Sequence, residues 1–331
     1  MTGTTGEPTV GRPGIVDAHH HFWRTPRHHQ HWRDSGLDAL ARDFGPTDLT
    51  PDLAGAGVTQ TVLIESLDEP AENDELLRYA AATPQVAGVV GWLPLHDPGL
   101  AMRLLDGLSG REIIRGIRCL IGRDPADWLV GTDTIAVLRE LARRDLSWDI
   151  VPVTPRHIDH VCRLATAVPD LRIVVDHLAR PPLEKADGSP GPLDERRTQP
   201  LGRSTAASRT SLDAGWQPWA AGITRLASCP NVALKVSVGI DVLTAWQRWD
   251  PDLLRRYVEW ATVCFGPDRL MLASNWPVIT LRRSYADTLA DLTAALPAGL
   301  SPEQLVAVQS GNARRWYQLA DPAGPLSVHA P

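Results

Sequence analysis

Residues Ile15–Trp23 read IVDAHHHFW. Two apolar residues lead into Asp17, and three histidines then follow without a break. As a β-strand this stretch alternates faces, which puts Asp17, His19 and His21 on one side and Ala18 and His20 on the other. Two imidazoles two residues apart on one strand reach a common ion, and neutral imidazole is the commonest side-chain metal ligand. On its own the run reads equally well as a polar strand end with chance histidines. Its surroundings decide between the two.

Immediately downstream, Arg24–Asp34 is rich in histidine and tryptophan and shows neither helical nor strand period. It reads as a loop over the end of the first strand, with His28, His29 and His31 as readily solvated as functional. A rhythm then sets in. Short apolar or β-branched runs recur at Gln60–Glu65, Val86–Leu93, Ile113–Cys119, Leu146–Val151, Leu171–His177, Asn231–Ser237 and Arg269–Asn275. Between them lie segments of helical period. Ile135, Leu138 and Leu141 form one stripe; Leu254, Val258 and Ala261 a second; Tyr285, Leu289 and Leu292 a third. Helical segments between near-continuous apolar strands imply parallel strands covered on the outside.

With the opening strand the runs number eight, which predicts a single-domain (β/α)₈ TIM barrel. An open doubly wound sheet is the alternative, but no glycine-rich phosphate loop follows any of these strands. The barrel is expected over residues 15–320, after a flexible N-terminus (1–14) and before a short C-terminal tail (321–331). One segment breaks the rhythm. Glu184–Ala214 is rich in Ser, Thr, Arg, Gly, Pro and Asp, and reads as a long insertion after the sixth strand, a lid or a disordered surface. Trp216 and Trp219 mark the return to the core. SPEQLVAVQSGNARRWYQL, near the end, reads as helical with a break near Gly311, packed against the barrel.

Composition narrows the function. The 331 residues are 43% hydrophobic and 22% charged, with net charge -6, the balance of a soluble globular protein. An acidic surface disfavours nucleic-acid and anionic-membrane partners. Cys119, Cys162, Cys229 and Cys264 form no C-x-x-C pair and read as separate thiols in a reducing compartment. The first residues lack the charged start and apolar run of a signal peptide, and no stretch is long enough to span a bilayer, so a cytoplasmic location is expected. The partner expected is a small molecule, with homo-oligomerisation left open. Lysine occurs only at Lys185 and Lys235, so a lysine inside an apolar strand draws notice.

In such a barrel the reacting groups stand at the C-terminal ends of the strands. Those ends carry His19 and His21, Glu65, Arg118, Trp148 and Asp149, Asp176 and His177, Lys235 and Ser237, and Asn275 and Trp276. Polar residues at one end of otherwise apolar strands are what a site, and not a bare scaffold, requires.

IVDAHHHFW, RGIR (115–118), VDHLARPP (175–182), NVALKVS (231–237), ASNWPV (273–278) and NARRWY (312–317) resemble the amidohydrolase superfamily. The nearest branch by resemblance is that of the sugar-lactone and pyrone-lactone hydrolases, the L-fuconolactonases and 2-pyrone-4,6-dicarboxylate lactonases. The resemblance runs from about residue 14 to about residue 319, the insertion excepted. It implies a hydrolase that opens a lactone or related cyclic ester or amide. His19 and His21 match the H-x-H pair and His177 the sixth-strand histidine, and these three are the implied metal ligands. Arg118 matches an arginine that holds a substrate oxygen. Asn275 falls where the family usually has an aspartate acting as general base, although some relatives carry asparagine.

That departure has chemical weight, because a carboxamide does not take a proton from water at ordinary pH. Asn275 is left to orient water or donate to an oxyanion. Glu65 and Asp149 are then the candidate bases, followed by an unligated His177; burial near other acids raises a carboxylate pKa. The fifth-strand end, SWDIV, has no histidine for a second metal. One divalent ion, zinc by donor type, or operation without metal both remain open. Trp23 and Trp276 are expected to stack on substrate, Asp149 and Lys235 to bind it, and Asp17 to back the histidines. Two further readings keep the fold. One is a decarboxylase or specialised biosynthetic enzyme acting on an aromatic or cyclic acid; the other is a non-catalytic binding barrel.

Overall fold

The computed structural model describes residues 14–24, 37–181, 207–246 and 249–321. The histidine-rich loop and residues 184–206 of the insertion lie outside these. Eight parallel strands run in sequence order: β1 (Ile15–His20), β2 (Val58–Ile64), β3 (Val86–Trp92), β4 (Ile114–Arg118), β5 (Ser147–Ile150), β6 (Ile173–Val175), β7 (Val232–Val236) and β8 (Leu270–Leu272). Each pairs with the next. The seam between β8 and β1 is closed at its upper end, where Asn275 N–H donates to His19 O (2.8 Å) and His21 N–H to Trp276 O (2.7 Å). The chain is a (β/α)₈ barrel, as the eight apolar runs predict.

The helices between strands are α1 (Pro46–Gly55), α2 (Ala71–Ala82), α3 (Pro98–Gly107), α4 (Thr132–Arg143), α5 (Pro155–Ala167), α6 (Ala207–Ala227), α7 (Ile240–Ala245) and α8 (Pro251–Phe265). After β8 come α9 (Tyr285–Ala294), α10 (Pro302–Val306) and α11 (Asn312–Tyr317), the last two joined by a π-helical turn at Ala307–Gly311. None of the described helices is long and apolar enough to cross a membrane.

Helix α8 shows how sequence sets these elements. Asp250 caps it by accepting from Leu253 N–H (3.0 Å), and Pro251 supplies the preset first φ. Leu254, Tyr257, Val258, Ala261 and Phe265 recur at helical spacing and are buried against the sheet. Each large apolar side chain of this stripe stabilises the fold by about 1.5–3 kcal/mol relative to exposure. Gly266, at φ 71, ends the helix in a conformation other residues avoid. Helix α6 is a correction to the sequence reading. It begins at Ala207, so the last residues assigned to the insertion are helical. Only from Trp216 onward does an apolar spacing mark it, through Trp219, Ala220, Ile223 and Leu226.

Two apolar layers result. The outer one lies between strands and helices. The inner one fills the lower barrel with Val16, Ala18, Val62, Val90, Val174, Ala233 and Met271, closed from below by Ala313, Trp316 and Tyr317 of α11. Arg314 Nε fastens that helix to Gln60 Oε1 (2.8 Å), and Arg315 reaches the carbonyl of Asp268. Above the inner apolar layer the barrel interior carries His19, Glu65, Arg118, Asp149, Asp176 and Lys235, all buried.

Candidate active site

Strand β1 does not alternate cleanly. Its pairing with β2 slips between Asp17 and His20. Ala18 belongs to the inner core, and His19 follows it inward. Asp17 instead turns toward α9, accepting from Ser274 Oγ (2.6 Å), Ser274 N–H (2.8 Å), Tyr285 OH (3.0 Å) and His19 N–H (3.2 Å). His20 packs outward, with Nε2 2.9 Å from Thr61 Oγ1. The single face expected for Asp17, His19 and His21 therefore holds for the two histidines alone. Asp17 orders backbone at the β1–β8 seam and does not touch the imidazole of either.

His21 Nδ1 lies 3.0 Å from the carbonyl of Ile64. A carbonyl only accepts, so Nδ1 carries the proton and Nε2 presents a lone pair. That lone pair meets His19 Nε2 at 3.0 Å. The other nitrogen of His19, Nδ1, is 3.3 Å from Asp176 Oδ1 and 3.1 Å from Lys235 Nζ. The third ring, His177, has its centroid 4.6 Å from that of His19. It arrives by an unusual turn. His177, Leu178, Ala179 and Arg180 all have φ between 51 and 54, a left-handed run that L-residues rarely adopt. The turn lets adjacent residues Asp176 and His177 both project into the barrel. His177 Nδ1 rests 2.9 Å from Ser237 Oγ. Burial lowers the pKa of all three rings, that of His177 to about 4, and keeps them neutral near pH 7.

Beneath the histidines runs a buried ionic ladder. Arg118 donates Nε–H to Glu65 Oε1 (2.6 Å), Nη1–H to Asp176 Oδ2 (3.0 Å) and Nη2–H to the Glu65 carbonyl (2.5 Å). Lys235 Nζ lies 2.9 Å from Asp176 Oδ1 and 2.7 Å from Asp149 Oδ2. Tyr317 OH and Ser147 Oγ donate to Asp149 from below. Burial alone would raise the Asp176 pKa, but Lys235, His19 and Arg118 outweigh it and hold the carboxyl well below the usual range. Glu65 goes the other way. Burial pushes it up to about 8, against the pull of Arg118.

A cavity of about 330 Å³ opens above this floor. His21, Arg118, His177 and Asn275 reach it, as do Trp23 and Ser66. Asn275 sits at φ 58, a left-handed conformation that asparagine tolerates, and its Nδ2 donates to Val238 O (2.8 Å). Several residues expected at the substrate are placed elsewhere. Asp149 and Lys235 lie a layer below the cavity, bonded to each other. Glu65 stands behind Arg118. Trp276 packs edge-on against Phe22 and Phe44, with centroids 5.9 Å and 5.5 Å away. The sequence places Asp176 and Ser237 at their strand ends without giving them a role, and Tyr317, on which the site also depends, is not among the expected residues. Ser237 was signalled by its two-residue spacing from Lys235, and Asp176 by its own spacing from inward-facing Val174. Tyr317 had no local signal.

The chain matches the amidohydrolase family over residues 16–319. It belongs to that family. As an amidohydrolase it is a hydrolytic enzyme. It is 34% identical over 318 residues to an L-fucono-1,5-lactonase of Burkholderia ambifaria, covering 93% of this chain and 97% of that one. An L-fucono-1,5-lactonase of Burkholderia multivorans is 28% identical over 315 residues, with the same coverage. A crystal structure of an amidohydrolase from Burkholderia multivorans with bound zinc superposes with a TM-score of 0.76 at 26% identity. It covers 92% of this chain and 99% of that one. The resemblance carried by the H-x-H pair, the sixth-strand D-H and the eighth-strand S-N-W-P thus holds for family and fold.

Proposed function

We propose that this amidohydrolase opens a lactone ring by attack of water on the ring carbonyl. The observation that carries the reading is the setting of Arg118. Three of the five guanidinium N–H groups are locked onto Glu65 and Asp176, which leaves two on a side chain that lines the cavity with His21 and His177. Donors held in advance where negative charge develops stabilise a tetrahedral oxyanion without reorganising. The L-fucono-1,5-lactonase relatives, matched over nearly their whole length, support the same chemistry.

The residues present fit a divalent ion. Tetrahedral zinc bound at about 2.0–2.1 Å holds its nitrogen ligands roughly 3.3 Å apart, and the His19 and His21 Nε2 atoms are 3.0 Å apart. His19, Asp176 and His177 also bring ligand atoms within 4.8 Å of one another. His19, His21 and His177 would hold the ion, with Asp176 Oδ1 3.3 Å behind His19 Nδ1 to favour the positive charge. When bound, zinc supplies Lewis acidity and brings the pKa of a coordinated water to about 7.

The chain's own groups do the rest. Arg118 anchors and polarises the carbonyl oxygen. Asn275 orients the attacking water but cannot take its proton. Glu65 holds the guanidinium in place from behind. The carbonyl carbon gains the water oxygen and loses the ring oxygen. That oxygen leaves as a hydroxyl, taking up the proton the water gave up.

Ring opening across a lactone panel tests the reading. Arg118→Ala and His177→Ala are expected to lose about 10²–10³ in kcat. Equal turnover in the wild type and both variants contradicts it.

A further inference from the structure

The walls of the cavity are more apolar than a sugar ring requires. Above the histidine and arginine floor, the described lining includes Leu120, Ile121, Val151, Val153, Ile240 and Val278. These follow β4 and β5 on one side and β7 and β8 on the other, with His177 and Arg180 after β6 between the two groups. Leu120 is 40% exposed, one of two large apolar side chains so exposed among the described residues, and it stands at this cavity. A lone exposed leucine is ordinary, but one that adjoins the apolar group Ile121, Val151 and Val153 in one cavity marks a contact surface.

Away from the floor, three polar groups of the described lining are already engaged. Trp23 Nε1–H donates to Arg42 O (2.9 Å) and Ser66 Oγ to Glu72 Oε1 (3.0 Å). Arg180 Nε donates to Asp241 Oδ2 (2.6 Å), so the two charges at the rim neutralise one another. Ring hydroxyls facing Val151, Val153 and Ile240 would lose water and gain no partner from these side chains, each weakening binding on the order of tenfold. An apolar substituent gains instead, about fourfold for each methylene it buries.

Resting on the lactonase reading, we infer that the substrate is a lactone bearing an alkyl or aryl substituent, seated against this wall, and not a polyhydroxylated sugar lactone. The floor handles the ester and the wall selects what the ring carries.

The test compares kcat/KM for two 1,5-lactones of equal ring size. One bears a single alkyl or phenyl group; the other is an aldonolactone with free ring hydroxyls. The wild type is expected to favour the first by at least about tenfold. Val151→Thr and Val153→Thr keep side-chain size and add a hydroxyl, and each is expected to shrink that preference about tenfold. A ratio taken within one variant cancels any loss of folded enzyme. Preference for the aldonolactone in the wild type, or an unchanged ratio in both variants, overturns the inference and leaves the lactonase reading standing. Failure to open either ring overturns the lactonase reading, and this inference with it.

Discussion

His19 and His21 face each other through their Nε2 atoms at 3.0 Å, with the remaining nitrogen of each ring held by the protein. His21 Nδ1 sits against the Ile64 carbonyl, and His19 Nδ1 against Asp176 and Lys235. Two neutral imidazoles aimed at one point are a ready cation site. The purified protein is therefore expected to take up one zinc per chain. Zinc at a hundredfold over its Kd should stabilise the fold by about 2.7 kcal/mol, and His21→Ala should abolish both effects. Elemental analysis and thermal unfolding with and without chelator check this. A wild type whose melting is indifferent to zinc contradicts it.

Arg118 is buried between two acid side chains, Glu65 and the ionised Asp176. Arg118→Met should destabilise the fold by about 3–5 kcal/mol, because it takes a counter-charge from buried Asp176 and the hydrogen-bond donors from Glu65. Arg118→Lys should recover only part of that, since an ammonium cannot span both partners as the planar fork does. Urea denaturation of the three proteins measures the difference.

Lys235 and Tyr317 meet on the same carboxylate, that of Asp149. Lys235→Met is expected to cost about 3–5 kcal/mol, and Tyr317→Phe about 1.5–3 kcal/mol for a hydrogen bond to a charged group. The double variant should depart from additivity by at least about 0.5 kcal/mol. Strict additivity would mean that α11 does not support the ladder from below.

Glu65 makes stability depend on pH. Its folded pKa, about 8, lies above the ordinary 4.5. Between those values the folded protein holds a proton that the unfolded chain has released. Stability from this group is full below about pH 4.5 and is lost as pH rises toward 8, by about 1.4 kcal/mol per unit. Glu65→Gln mimics the neutral form at every pH. Its unfolding free energy should gain on that of the wild type from pH 5 to pH 8; parallel curves would contradict the assignment.

Much of this was legible beforehand, for a physical reason. Parallel strands buried on both faces leave near-continuous apolar runs, so eight of them announced the barrel. The rule that barrels react at strand C-termini then brought His19, His21, His177, Arg118 and Asn275 together. What escaped were breaks in alternation. A register slip between Asp17 and His20 brought His19 onto the inner face with Ala18 and left Asp17 on the other, and the left-handed turn at His177 put Asp176 beside it instead of opposite. Strand periodicity cannot show either. An inward strand position says nothing about height in the barrel, so it does not separate Lys235 and Asp149 from substrate contacts. Tyr317 reaches Asp149 across 168 residues of sequence, beyond any local pattern.

The most direct measurement is the fate of solvent oxygen. Lactone turned over in ¹⁸O-water and analysed by mass spectrometry should yield a hydroxy acid with one heavy atom in its carboxylate and none in its hydroxyl. Heavy oxygen in the hydroxyl, or a product lighter by carbon dioxide, would contradict attack of water on the carbonyl.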